Sequence, residues 1–359
     1  MKAAVLVEAG KDLEIQDVEV SKPGPHEVLV RTLATGVCHS DLHFQKGLSP
    51  YPLPVVLGHE AAGIVEQVGS EVRYVAPGDH VVTCTAVFCG HCQFCMSGRP
   101  YLCGGASTRR PKGQAPRLSS RGAKINQYFH VGSFAEQLLV HENVITRIRP
   151  DADLECAALL GCAVVTGIGA VINAAKVEVG SRVAIFGCGG VGLCAVQGAA
   201  LAGAGRIIAV DVKPEKLELA RSLGATEVVD ASRCDPVEAI RELDSGGVDY
   251  SFEVIGNKRT VEQCFEVLDM GGTATVIGMV PSGTKIEVPG DLLMFRKLQG
   301  TSMGSARPRI DIPRYVDFLI SGKLRLRELI SQRIPLEGVN DALRELERGS
   351  LARSVILFD

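Results

Sequence analysis

The run VAIFGCGGVGLCAVQGAALAG, residues 183–203, restricts the possible folds more than any other stretch of this chain. An apolar, strand-like VAIF enters a turn with glycine at 187, 189, 190 and 192, and the chain leaves it as an alanine- and leucine-rich segment of helical character. Glycines at that spacing permit a tight turn, let the backbone approach a bound pyrophosphate, and let helix pack closely on strand. The pattern is weak by itself, because glycine is the ordinary residue of turns. Its surroundings add to it: the next strand-like run, RIIAVD, ends on Asp211, nineteen residues after Gly192. Strand, turn, helix and distal acid together specify a dinucleotide site. Gly187, Gly189, Gly190, Val191 and Gly192 line the pyrophosphate at the positive end of the helix, and Asp211 takes the adenosine ribose hydroxyls. A carboxylate there repels a 2′-phosphate, so NAD is expected over NADP, against the pull of Lys213 two residues on.

The same texture continues from about Val164 onward. Strand-like VAIFG, RIIAVD, TEVVDA, VDYSFEVIG and TATVIGM alternate with helix-like segments such as PEKLELARSLG and DPVEAIRELD. Such alternation makes a doubly wound parallel sheet. Residues 1 to about 150 read differently, as short β-type runs (AAVLV, EVLVRTLAT, AAGIVEQVG, HVVTCTAV) separated by Pro/Gly turns, which suggests a mainly-β or barrel-like domain. Ala106–Gly122 is an arginine-rich loop without periodicity. Two helices, IPRYVDFLISGKL and LEGVNDALRELERG, and a closing strand SVILF end the chain and could return to the first domain.

A length of 359 residues suits two domains, and a net charge of −3 gives no basic surplus for nucleic acid. Residues 156–175 carry no charge over the length of a membrane span, but three glycines, an asparagine and a threonine fit a buried α/β element better. No membrane partner is expected. The first residues meet Glu8 and Lys11 before an apolar leader could develop, so the cytoplasm is the expected compartment and its twelve cysteines are expected as thiols or metal ligands.

Four of those cysteines, Cys89, Cys92, Cys95 and Cys103, fall within CGHCQFCMSGRPYLC. A disulfide knot fits a reducing compartment poorly, and an iron–sulfur cluster would need a redox partner. Four thiolates around zinc close the tetrahedron and leave no place for substrate, so this cluster is expected to brace its lobe. Elsewhere, Cys38 in GVCHSDLH with His59 and Glu60 in GHE offers a thiolate, an imidazole and a carboxylate, the donor set of an open zinc site. Each is ordinary alone. A further ligand could come from Cys162, at the junction with the nucleotide domain.

In the order GVCHSDLH, GHEAAGIVE, the four-cysteine cluster, GCAVVTG, GCGGVG with its distal acid, and LARSVILF, the chain resembles the zinc-dependent medium-chain alcohol dehydrogenases, in their liver-type and class III-like branch. The resemblance covers nearly the whole length. It implies an α/β protein: a Rossmann NAD-binding domain at 164–302, inserted in a mainly-β, GroES-like catalytic domain made of 1–163 and 303–359, with two zinc ions per chain. By motif, Cys38, His59 and Cys162 correspond to ligands of the catalytic zinc, Glu60 to an occasional or outer ligand, and Asp41 to the carboxylate that orients the histidine. Ser40 and His43 correspond to a proton relay. Lys216 corresponds to a second partner of the adenosine ribose, and His39, Thr166 and Arg353 to contacts at the pyrophosphate or nicotinamide end.

The implied activity is reversible oxidation of an alcohol to aldehyde or ketone, with hydride passing to NAD. Zinc lowers the pKa of water from about 15.7 to about 7–9. A comparable effect on an alcohol is on the order of 10 kcal/mol, beyond any neutral side-chain hydrogen bond. Thr85 and Ser302 stand where liver-type members carry larger side chains, which suggests room for a bulky or aromatic primary alcohol. FQKGLSPYPLP lacks the acid expected beside a glutathione carrier, so thiol-dependent formaldehyde oxidation is an alternative, as is polyol oxidation. A redox-sensing or structural protein on a reductase fold is the non-enzymatic alternative. The Ala106–Gly122 loop resembles that of dimeric members and points to a homodimer, with a tetramer as the alternative.

Overall fold

The apolar runs between Arg182 and Gly300 form a six-stranded, all-parallel sheet. Its strands are β1 (Arg182–Phe186), β2 (Arg206–Asp211), β3 (Glu227–Asp230), β4 (Val248–Glu253), β5 (Leu268–Val276) and β6 (Lys297–Gly300), in the spatial order β3-β2-β1-β4-β5-β6. The computed structural model describes residues 1–111, 113–349 and 353–359. Lys112 of the arginine-rich loop, Ser350, and Leu351 and Ala352 of the LARSVILF motif lie outside the described residues. Two compact units make up the chain: Met1–Cys162 with Arg307–Asp359, and Ala163–Ala306.

In the second unit, helices Gly190–Leu201, Pro214–Ser222, Pro236–Leu243 and Lys258–Glu266 make the connections between strands. A parallel sheet covered on both faces demands continuous apolar strands, and Val183, Ala184, Ile185, Ile208 and Ala209 are all fully or almost fully buried. The strand order reverses direction between β1 and β4, which opens a crevice at their carboxyl ends. Strand β6, KLQG, was not among the runs expected from sequence; it is an edge strand with no apolar signature. The unit extends to Ala306, where the sequence boundary stood at Ser302, because the turn Met303–Ser305 packs on the helix Ala163–Gly169. A Cβ on Gly304 would come within 2.2 Å of the Val165 carbonyl oxygen.

The first unit is mainly β. Its central strand, Glu27–Val37, pairs antiparallel with Glu60–Val68 on one side and with the closing strand Arg353–Leu357 on the other. Ile330–Ile334 adds to the closing strand in parallel, so the last strands of the chain complete a sheet begun by Glu27–Val37. A second sheet brings together Lys2–Leu6, Glu14–Asp17, Val55–Val56 and Ala123–Gln127 over a core that includes Leu6, Leu57, Tyr128 and Phe134. The helix expected at IPRYVDFLISGKL runs instead over Pro308–Ile320. Pro308 suits the first helical turn, and the Asp311 carboxylate accepts the Arg307 N–H at 2.8 Å and caps the start.

The arginine-rich loop is tied to the central strand. Glu27, 4% exposed, receives Arg117 Nε at 2.7 Å and Arg110 Nε at 2.9 Å, along with the Gly24 N–H at 2.8 Å. Burial pushes the Glu27 carboxyl up, but the two guanidinium groups and the Gly24 N–H hold it down at about 2. Among the described residues no single helix is long and apolar enough to cross a membrane. Helical geometry in the apolar run at 156–175 breaks at Cys162, with φ −138° and ψ −71°.

Candidate functional site

Three neighbouring strands of the first unit bring their ends to one place. Cys38 follows directly on Val37 and caps the helix His39–Gln45. Glu60 opens its strand opposite Gly36, and Arg353 opens the closing strand one residue before Ser354, which faces Val37. Cys162 arrives from the helical stretch Leu154–Gly161. The Sγ atoms of Cys38 and Cys162, a ring nitrogen of His59 and an oxygen of Glu60 all lie within 4.8 Å of one another, and all four residues are buried. Glycines allow this approach: a Cβ on Gly36 would fall 2.3 Å from Glu60 Oε2, and one on Gly161 would fall 2.0 Å from the Thr83 carbonyl oxygen.

Asp41, fully buried, orders the group. Its Oδ2 accepts the Cys38 N–H at 3.0 Å, and its Oδ1 accepts the Gly58 N–H at 3.0 Å and His59 Nδ1–H at 3.1 Å. The imidazole therefore keeps Nε2 for a ligand. Thr83 Oγ1 donates to the His59 carbonyl at 3.1 Å and accepts the Ala61 N–H at 3.0 Å, which pins the backbone on either side of Glu60.

The electrostatics suit a cation. Cys38 is held well below the ordinary thiol range by a hydrogen bond from Cys162, against the effect of burial, with Arg353 and His59 adding positive charge. Cys162, the donor in that pair, is pushed well above it by Cys38 and by burial. Burial would lower His59, but the charge of Asp41 and its hydrogen bond raise it well above the usual imidazole value. Glu60 is pushed up to about 7 by burial, with Arg353 opposing. Arg353 Nη2 lies 3.1 Å from Glu60 Oε1, yet neither Glu60 oxygen has an aligned hydrogen-bond donor. Two thiols, one imidazole with a single nitrogen left, and a buried carboxylate without hydrogen bonds fit a zinc ion.

The four-cysteine cluster fits one too. Cys89 Sγ lies 3.9 Å from Cys95 Sγ, and Cys92 Sγ lies 3.6 Å from Cys95 Sγ. Zinc–sulfur bonds of about 2.3 Å in a tetrahedron place sulfurs about 3.8 Å apart. Backbone N–H groups of Cys92, Cys89 and Gly105 donate to the sulfurs of Cys89 and Cys103 at 3.3–3.4 Å, the arrangement that supports thiolate charge. All twelve cysteines are free of disulfides.

Of the other expected residues, His39, Ser40, Asp41 and His43 share the helix His39–Gln45. Ser40 Oγ lies 3.8 Å from Cys38 Sγ, and His43, three residues on, shares its face of the helix. Arg353, expected at the pyrophosphate or nicotinamide end, is 2% exposed and lies against Glu60 and the Val37 carbonyl, a placement dictated by the pairing of its strand with Glu27–Val37. Sequence reasoning missed Gly36, Thr83 and an aromatic group beside the histidine. The rings of Tyr128 and Phe129 stand 5.5 and 5.8 Å from that of His59, with Phe44 4.5 Å from Tyr128. Phe129 and His130 both adopt left-handed backbone, φ 48° and 64°. Two successive non-glycine residues held there are strained, which marks a position set by surrounding packing.

In the second unit the Gly187 turn joins β1 to the twelve-residue helix Gly190–Leu201. Gly187 has φ +101°, and a Cβ on Gly192 would meet the Gly187 carbonyl oxygen at 1.8 Å. Asp211 Oδ2 accepts the Cys188 N–H at 2.7 Å, and Oδ1 accepts those of Val212 and Lys213 at 2.8 and 3.0 Å. Three of about four lone-pair sites of the carboxylate are thus taken. Lys216, half-buried in the first turn of Pro214–Ser222, lies near enough to Cys188 for its charge to be felt there. Thr166 Oγ1 lies 3.9 Å from Met303 Sδ.

Residues 24–150 match the alcohol dehydrogenase GroES-like domain, and residues 190–321 match the zinc-binding dehydrogenase family. An S-(hydroxymethyl)glutathione dehydrogenase of Synechocystis is 41% identical, over 99% of this chain and 99% of that one. The chain belongs to the zinc-dependent alcohol dehydrogenase family. Its fold is that of a GroES-like unit with an inserted Rossmann unit. Among solved structures, an alcohol dehydrogenase zinc-binding domain protein from Burkholderia ambifaria superposes with a TM-score of 0.95 at 38% identity, covering 100% of this chain and 98% of that one. Benzyl alcohol dehydrogenase from Acinetobacter calcoaceticus superposes at 0.92 and 36% identity, covering 100% and 99%.

Proposed function

We propose that this alcohol dehydrogenase oxidises a bulky or aromatic primary alcohol to the aldehyde, reversibly, with NAD as hydride acceptor. Cys38, His59 and Cys162 would hold the catalytic zinc with Glu60 as an exchangeable fourth donor, and Cys89, Cys92, Cys95 and Cys103 the second zinc. When bound, zinc supplies Lewis acidity toward the hydroxyl and NAD supplies the hydride acceptor. The observation that carries the reading is the convergence of four buried donors on one point, with Asp41 fixing the tautomer of His59.

The chain's own groups have distinct tasks. Asp41 orients the imidazole. Ser40 accepts the hydroxyl proton, and His43, on the same helix face, delivers it to solvent. The Gly187–Gly192 turn and the helix N-terminus take the pyrophosphate, with His39 and Thr166 as further contacts of the cofactor. Asp211 and Lys216 take the adenosine ribose, and the Asp211 charge disfavours NADP. The aromatic group of Phe44, Tyr128 and Phe129 beside His59, and the small side chains of Thr85 and Ser302, support a substrate with a large apolar body. The likeness to a benzyl alcohol dehydrogenase supports the same class.

The second reading, oxidation of the glutathione adduct of formaldehyde, is favoured by the name of the Synechocystis relative and opposed by the absence of an acid in residues 44–54. Initial rates with benzyl alcohol, ethanol and S-(hydroxymethyl)glutathione, each with NAD and NADP, separate the two. A higher kcat/KM for ethanol or for the glutathione adduct than for benzyl alcohol overturns the first. Metal analysis should give two zinc ions per chain. The free thiols suit the cytoplasm, and the arginine-rich loop supports a homodimer over a tetramer, which light scattering during gel filtration decides.

A further inference from the structure

The aromatic group beside His59 is carried by a strained turn. Tyr128 is fully buried, and Phe44, Tyr51 and Phe129 pack round it half-buried. Side chains of successive residues on extended backbone point to opposite faces. The rings of Tyr128 and Phe129 nevertheless lie 4.2 Å apart, which the left-handed φ of 48° at Phe129 makes possible and His130 continues at 64°. A bulky residue keeps such a backbone only where its surroundings hold it there.

What holds it comes from another part of the chain. Tyr51 Oη donates to the Gln127 carbonyl, one residue before the two rings, at 2.8 Å. Burial pushes the Tyr51 hydroxyl above the ordinary phenol range, with the Phe129 N–H opposing, so the group stays an O–H donor. The Tyr51 segment is itself pinned to the strand that leads into the turn. Asn126 Nδ2 donates to the Pro52 and Pro54 carbonyls at 3.1 Å each, and the Asn126 N–H to that of Pro54 at 2.9 Å. From the far side, Gln127 Nε2 donates to the Val131 carbonyl at 3.0 Å and to that of Leu139 at 3.1 Å.

The rings meet edge to face. Tyr51 stands 5.8 Å from Phe44 at 86° and 5.6 Å from Tyr128 at 75°, and Phe44 stands 5.9 Å from Phe129 at 73°. A flat ring laid against the open sides of Phe44 and Phe129 extends that pattern. A saturated ring of equal size is thicker and has neither a π face nor a positive edge.

We propose that Tyr51 is a positioning residue for specificity: its hydroxyl holds the turn Tyr128–His130, which sets the Phe129 ring beside His59, and the site so built selects a planar aryl alcohol over a saturated one of equal size. This rests on the reading of the substrate above, as an alcohol with a large apolar body. The test compares kcat/KM for benzyl alcohol and cyclohexylmethanol in wild type, Tyr51→Phe, Phe129→Gly and the double variant. Beside it stand zinc content, melting temperature, and calorimetric titration of the NADH-saturated enzyme with benzamide, which presents the carbonyl of benzaldehyde and takes no hydride. Tyr51→Phe keeps the packed ring and removes only the hydroxyl. Phe129→Gly removes the other ring and the strain together, since glycine takes left-handed backbone freely.

Wild type should favour benzyl alcohol by about tenfold. Tyr51→Phe should lower that ratio to about threefold through the KM for benzyl alcohol and weaken benzamide by about threefold, with zinc content and the KM for NAD unchanged. Tyr51→Phe added to Phe129→Gly should change neither quantity further, because the hydroxyl acts through the Phe129 ring. A wild type indifferent between the two alcohols, a ratio unaltered in Tyr51→Phe, or equal losses in both backgrounds overturns the proposal alone. A wild type with a higher kcat/KM for ethanol than for benzyl alcohol removes the substrate reading and the proposal with it.

Discussion

Asp41→Asn tests the logic of the zinc site with the smallest change of shape. The carboxylate receives three donors: the Cys38 N–H on Oδ2, and the Gly58 N–H and His59 Nδ1–H on Oδ1. An amide can serve only one side. With its oxygen toward Gly58 and His59, its NH₂ confronts the Cys38 N–H from about hydrogen-bond distance. The opposite orientation confronts two donors and costs more. The better orientation still leaves a buried donor without an acceptor, about 1–3 kcal/mol, and weakens the two remaining bonds by losing the acceptor's charge. Their sum is a destabilisation of about 2–4 kcal/mol. Part of it should appear as metal affinity, because support of a ligand histidine is worth about 10–100-fold. The assay is zinc content after dialysis against a graded chelator series, paired with urea unfolding. The variant should lose one zinc early and retain the second, held by the cysteine cluster, like wild type. Retention of both ions at wild-type chelator concentrations, with stability unchanged to within about 1 kcal/mol, would refute the reasoning.

Cys95→Ser should release one zinc and lower the melting temperature before it alters kcat; normal stability with lost turnover would reverse the division between the two clusters. Gly36→Ala places a methyl group 2.3 Å from Glu60 Oε2 and 3.2 Å from Leu159 Cδ2. It should cost about 1–3 kcal/mol and reduce kcat with NADH affinity intact, and wild-type turnover would show that Glu60 need not stay where it is. Glu27 has its carboxyl lowered from 4.5 to about 2, because Arg110, Arg117 and the Gly24 N–H outweigh burial. Its contribution, on the order of 3 kcal/mol, is complete above the unfolded value and disappears as pH falls from about 4.5 through about 2. The stability difference between wild type and Glu27→Gln in urea should therefore shrink over that window, and a difference independent of pH would count against the ion pairs as its source. Asp211→Gly should raise the KM for NAD and admit NADP; unchanged discrimination would place the selectivity elsewhere.

What sequence made legible follows the range over which each feature is encoded. The nucleotide turn is local: the strand, four glycines, the helix and Asp211 lie within one βαβ unit, and each position has its own steric or electrostatic requirement. The four-cysteine cluster is local in the same way. Cys38, His59 and Cys162 are scattered, and no periodicity joins them; donor chemistry alone makes them a candidate set, and the resemblance turns that set into assigned ligands. Strand β6 is not legible in the sequence because an edge strand with the sequence KLQG shows no apolar run. The helix over Pro308–Ile320 begins ahead of the run IPRYVDFLISGKL because Pro313 lies inside it and the capping signal, Asp311 on the Arg307 N–H, is a contact rather than a pattern.

Arg353 shows where local reading stops. Nothing near ARSVILF says which residue will stand beside Arg353, because that depends on the register of the last strand against Glu27–Val37. With Ser354 opposite Val37, the guanidinium falls beside Cys38, and with Gly36 opposite Glu60, a carboxylate falls there too. The buried charges of this site are thus arranged by three strand ends drawn from the beginning and the end of the chain. A buried arginine beside two thiols and a glutamate favours thiolate and carboxylate over their protonated forms, the forms that bind a cation. Removing that charge alone, as in Arg353→Met, leaves every proposed ligand in place. It should nevertheless raise the pH at which zinc is half-retained, since the ligands then lose their nearest fixed positive charge. A retention curve unchanged in pH would mean that the ion itself, and not the closing strand, sets the ionisation of the site.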